Sequence, residues 1–202
     1  QAVETADVAV LNSDQVSSLS ATHVQAFTTA QVQKLSTGVI AGLSNTQVDA
    51  LSTAQVRGMT TDQVKVLTTA DMVALSNSQL QAMTTSQVEV IETVDLKALS
   101  ATQIASFSTD QLRALTTSSQ MQVLEGEDFV NLSATQLQSL TTAQVKQLTT
   151  GATGQIQALT SPVVNNLSTD QMAALTSTQV SYLSDAALTN MSTDRVAALG
   201  VV

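Results

Sequence analysis

Apolar residues recur along this chain every eight positions. In the stretch MTTDQVKVLTTADMVALSNSQLQAMTTSQVEVI (59–91), Met59, Leu67, Leu75, Met83 and Ile91 form one series, and Val64, Met72, Leu80 and Val88 form a second, five places behind it. Neither the 3.6-residue helical period nor the 2-residue strand period gives this spacing. Eight residues of straight helix turn through roughly 800°, overshooting two turns by about 80°, so an apolar stripe of that period would wind around a single helix and meet no partner. The helix must therefore be interrupted once per octad.

The polar positions supply the interruption. With the first apolar residue as position 1, the unit reads Leu-Ser/Thr-x-x-Gln-Val-x-Ala. Position 2 is Ser or Thr and position 5 is Gln, which is the spacing of a capping box. Positions 1 and 6 then occupy the two sites of a hydrophobic staple. Each octad is predicted to cap, run for about two helical turns and bend at the next Leu-Ser. Ala50, Gly58, Ala74, Ala82, Ala98 and Ala114 at position 8 would let neighbouring helices approach closely. Such helices are too short to stand alone, because nucleation is costly. A cap contributes about 1 kcal/mol and a buried Leu or Val roughly 1.5–3 kcal/mol, so packing between units has to dominate. The expected fold is all-α, a solenoid of short capped helices with one helix per octad; two or three octads per superhelical turn both remain open. A β-solenoid is the competing architecture, since Val and Thr-Thr pairs favour strands. It would turn position 1, the most apolar of the unit, outward.

Charge sorts in the same direction. Of the 16 acidic residues all but Asp49 and Glu89 fall at positions 2–5, while Arg57, Lys65, Lys97, Arg113 and Lys146 stand at position 7 and Lys34 at position 8; Arg195 alone is early. Carboxylates near helix N-termini and cations near C-termini are the arrangement the helix dipole favours. Pro162 falls in a first turn, where proline is tolerated.

The repeat begins, in degenerate form, at Val3 and stays in register to Leu115. It resumes through LSATQLQS, LTTAQVKQ and LSTDQMAA to MSTDRVAA, and LGVV follows. LTTSSQMQV (115–123) carries one extra residue and LTTGATGQIQA (148–158) three. With no Pro/Gly linker, residues 1–202 are predicted to form a single octapeptide-repeat array with register slips near 115–131 and 148–166. Gly151 and Gly154 are read as a bend in the second slip. The opening Gln1 is read as an excerpt or a processed product, and no signal peptide is expected within it.

LTTAQV (140–145), LSTAQV (51–56) and LSTDQM (167–172) resemble the LTTAQ/LSTxQ octapeptide arrays of large proteobacterial secreted or surface, adhesin-like proteins. The resemblance covers nearly the whole chain. It implies an extracellular or cell-surface, repetitive and non-enzymatic role, and it carries over no functional residues.

Composition narrows the chemistry. A net charge of −9 with only 7 Lys and Arg opposes nucleic acid and a polybasic membrane contact. There is no Cys, hence no disulfide or thiolate metal site. No apolar run has the length of a spanning helix, so membrane insertion is not expected. Aromatic residues make up 2% of the chain, which leaves few anchors for a specific protein-binding face. His23, the single histidine, takes the place of a capping Gln. Met59, Met72, Met83, Met172 and Met191 are core positions. Glu125, Glu127 and Asp128 form the sharpest acidic cluster; weak calcium binding is weighed there against helix capping, without EF-hand spacing. No catalytic, cofactor-binding or metal residue is assigned, and no cofactor is expected.

The Gln series (Gln15, Gln47, Gln55, Gln63, Gln87, Gln103, Gln111) is read as repeated capping and, more boldly, as a side-chain hydrogen-bond ladder along the solenoid, since a Gln can accept and donate at once. Position 3 hydroxyls could carry or bind glycan. The leading functional expectation is a rod, stalk or fibre subunit that self-associates through its solenoid ends. The alternative is a binding scaffold for a protein or glycan partner.

Overall fold

The computed structural model describes residues 4–151 and 154–200. The first repeat's Val3, residues 152–153 of the second slip and the closing Val201 and Val202 lie outside the described residues. Among the described residues the chain forms 24 α-helices of four to six residues and no strand. The fold is the all-α, short-helix solenoid, not the β alternative.

The helices are shorter than two turns. In the octad of Leu51, Ser52 is the N-cap in extended conformation (φ −69°, ψ 158°), Thr53–Gly58 is helical, and Met59 returns to φ −60°, ψ 147°. Positions 1 and 2 are both extended. The capping side chain requires this, because an N-cap residue leaves helical dihedrals to reach back to the N3 amide. At Pro162 the helix Ser161–Asn166 carries proline in its first turn, as expected.

The chain divides into two compact units, Gln1–Leu99 and Ser100–Val202. In the first, helices pack on the third helix along: Thr5–Ala9 on Thr29–Lys34, that on Thr53–Gly58, and that on Asn77–Ala82. The same holds for the row Ala21–Gln25, Asn45–Asp49, Thr69–Ala74 and Thr93–Ala98, and for the row that starts at Ser13–Ser17. In the second unit Ala101–Ile104, Gly126–Asn131 and Gln155–Ala158 stack in the same way. Three octads therefore make one turn, which settles the choice between two and three.

Positions 1 and 6 fill the interior. Val56, Met59, Val64, Leu67, Met72, Leu75, Leu80 and Met83 are all buried, as are Phe107 and Phe129 in the second unit. The methionines at 59, 72, 83, 172 and 191 are core residues. No helix among the described residues is long and apolar enough to cross a membrane.

At three glycines, position 8 of one helix closes on position 3 of the helix one turn earlier with no room for a further side chain. A Cβ on Gly58 would stand 2.0 Å from the Thr29 methyl, and one on Gly42 2.9 Å from Ser13 Cβ. Where position 8 is Ala158, position 3 is Gly126, and a Cβ there would stand 2.1 Å from Ala158 Cβ. Alanine has no torsion with which to yield. Gly126→Ala is expected to lower stability by roughly 1–3 kcal/mol through overpacking. Adding Ala158→Gly should restore most of the loss. A double-mutant cycle by denaturant unfolding checks this, and additive losses would contradict the pairing.

Candidate functional site

A five-residue helix leaves its first amides and last carbonyls without intrahelical partners. The position 5 glutamine answers both needs on two different turns. Gln55 Oε1 accepts from the Ser52 amide at 2.7 Å, while the Gln55 amide donates to Ser52 Oγ at 3.2 Å. Its Nε2 then donates across to the preceding turn, to the carbonyls of Val24 at 3.0 Å and Phe27 at 2.7 Å. One amide group thus caps its own helix N-terminus and closes the C-terminus of a helix about 30 residues earlier.

The bridge repeats. In the first unit Gln47 reaches the carbonyls of Val16 and Leu19, Gln63 those of Val32 and Leu35, Gln79 those of Val48 and Leu51, and Gln87 those of Val56 and Met59. In the second, Gln136, Gln144, Gln155, Gln171 and Gln179 do the same. Most of these amides are buried, so every satisfied proton matters. Capping and ladder are both present, carried by the same side chain.

The register slips leave the glutamine cap intact, and Gln155 keeps its bridge to the preceding turn. At the first, Gln120 Oε1 accepts from the Thr116 amide at 2.9 Å, four residues back instead of three. At the second, Gln155 Oε1 accepts from the Thr149 amide at 2.8 Å, six residues back. The extra residues sit between cap and glutamine, and Gly151 turns there at φ +115°.

The chain belongs to the ALTTAQ repeat family. Its repeats match residues 1–37, 37–69, 88–125, 121–161 and 152–185. A comparison with curated proteins found no match. In the terms of this family's repeat, the Thr-Thr/Ser-Thr step supplies the cap and the Gln supplies the bridge between turns.

His23 stands where the glutamine would, and its Nδ1 accepts from the Ser20 amide at 3.3 Å. The acidic cluster does not converge: Glu125 and Glu127 are exposed, whereas Asp128 is buried and its Oδ2 accepts from the Glu125 amide at 2.7 Å. Among the described residues no three metal-capable side chains come together.

Four aspartates stand at the glutamine position: Asp7 in the first repeat is exposed, whereas Asp71, Asp95 and Asp128 are buried. An aspartate accepts the capping bond but brings no donor for the preceding turn. At Asp128 burial is the largest cause of a carboxyl pKa raised above its usual 3.8; the Glu125 amide opposes the rise, and the Glu125 and Glu127 carboxylates add to it.

Two outcomes follow. Gln87→Glu keeps the capping acceptor and replaces the bridging donor with an oxygen against three carbonyls. It should cost about 3 kcal/mol at neutral pH, partly recovered on acidification, against about 1 kcal/mol for loss of the cap alone in Thr84→Ala. Equal losses in chemical denaturation would reduce the glutamine to a capping residue. For Asp128, the folded state holds the proton more tightly than the unfolded chain. Its contribution to stability is fully present below pH 3.8 and is lost as pH rises through the elevated folded pKa. Asp128→Asn should flatten that fall and be the more stable protein at neutral pH. Parallel pH profiles for the two proteins would contradict it.

Proposed function

We propose that this protein is a non-enzymatic structural element, a rod or stalk of the bacterial cell surface that assembles head-to-tail with further copies of itself. The observation that carries the reading is the direction of the glutamine bridge. The position 5 glutamine of each bridged turn donates to the turn that precedes it in sequence, in both units. A stack of such turns has a donor face and an acceptor face of complementary chemistry. A contact of that type is heterologous, and when its rotation does not close it propagates as a filament. The buried position 1 and 6 columns add apolar area to the same faces. The extracellular setting is the one implied by the LTTAQ/LSTxQ resemblance.

Negative-stain electron microscopy across a concentration series, paired with sedimentation velocity, tests the assembly. Particles should lengthen at constant width as concentration rises. A monomer of constant sedimentation coefficient at every concentration would remove head-to-tail assembly.

A further inference from the structure

The three buried aspartates at the bridge position are not equivalent. Asp95 finds a donor in the turn before it: Thr69 Oγ1 donates to its Oδ1 at 2.5 Å. Asp128 has an exposed acidic neighbourhood at the start of its helix. Asp71 has neither. It is 1% exposed, and its Oδ2 takes the capping bonds, from the Thr68 amide at 2.9 Å and Thr68 Oγ1 at 2.7 Å. Its Oδ1 is fully buried with no hydrogen-bond partner, alone in this among the buried side-chain polar atoms of the described residues.

The repeat shows where that oxygen is aimed. Bridging glutamines of the first unit donate to the carbonyls 31 and 28 residues before them, as Gln63 does to Val32 and Leu35, both at 2.8 Å. The same register directs Asp71 to Ile40 and Leu43, both buried. The Leu43 carbonyl, whose counterparts on Leu19 and Leu35 accept a glutamine amide, receives no donor among the described residues. The side chain is also one methylene shorter than glutamine, so the place of the Nε2 group lies between oxygens. The only ion pair among the described residues is Lys65–Asp62 at 3.8 Å, so no cationic side chain offsets the buried carboxylate.

We infer that Asp71, with the Ile40 and Leu43 carbonyls, forms a binding site for a monovalent hard cation of sodium's size. Burying a carboxylate without a countercharge is costly. Hard cations take carboxylate and backbone carbonyl oxygens together, at roughly 2.3–2.6 Å for an ion of this radius. A monovalent ion leaves the buried site neutral, whereas a divalent one leaves a net positive charge inside the stack. The bound ion joins the helix Thr69–Ala74 to the turn before it and does there what the glutamine amide does elsewhere.

The test is thermal unfolding of the full chain in sodium chloride against choline chloride at fixed ionic strength, for the wild type and for Asp71→Gln. The wild-type midpoint should rise saturably with sodium, by about 3 °C at tenfold excess over the dissociation constant. The Gln variant, which supplies the missing donor covalently, should show no preference between the two salts. Equal wild-type midpoints in sodium and choline would overturn the site, and so would an undiminished sodium response in the variant. The wild-type comparison of the two salts decides the matter even if the variant does not fold.

Discussion

The whole fold depends on one amide group doing two jobs at once. Helices of four to six residues are mostly ends: their first amides and last carbonyls outnumber the bonds they make internally. Water would satisfy those groups in an isolated peptide, and the helix would melt. Here the glutamine at position 5 accepts from the cap of its own helix and donates to the C-terminus of a helix one turn earlier. Gln55 does so with all its contacts between 2.7 and 3.3 Å while only 2% exposed. Local structure and stacking are thereby made by the same side chain, so neither forms fully without the other.

Packing follows from that constraint. Because the bridge sets which helix lies on which, it also sets which side chains meet. Position 8 approaches position 3 of the earlier turn closely enough that Gly58 faces Thr29 and Gly126 faces Ala158. The two slips show which spacing is held. Residues are added between Thr116 and Gln120 and between Thr149 and Gln155, yet both glutamines still take the capping amide, and Gln155 still bridges to Met121 and Leu124 at 2.7 and 2.6 Å. Chain length inside a loop costs little; a lost bridge would leave buried groups unpaired.

The same logic makes the departures informative. A carboxylate at the bridge position satisfies the cap and withdraws a donor from the interior. Thr69 supplies Asp95 with a proton from the neighbouring turn, burial raises the Asp128 pKa, and Asp71 leaves an oxygen without a partner. Chemistry in this otherwise uniform molecule is concentrated where the repeat changes, and the net direction of donation gives the stack a polarity on which assembly can draw.

Much of the structure was legible from the chain alone because it rests on contacts three to five residues apart. The cap at position 2, the glutamine at position 5 and the apolar pair at positions 1 and 6 are all local, so the octad announces a short helix and its boundaries. That Gln could serve both as cap and as ladder also follows from its chemistry. The sequence could not say how many octads make a turn, because that number depends on how helices lean against one another. It could not place the partners of each Nε2, which lie 28–34 residues away. Asp71, Asp95 and Asp128 read locally as good capping residues near a helix N-terminus; their cost appears only when the preceding turn covers them with carbonyls. The sequence by itself therefore determined the unit, since capping and stapling are short-range. The tertiary structure decided the stack and which polar groups are buried without a donor, because both depend on a helix that arrives from about 30 residues away.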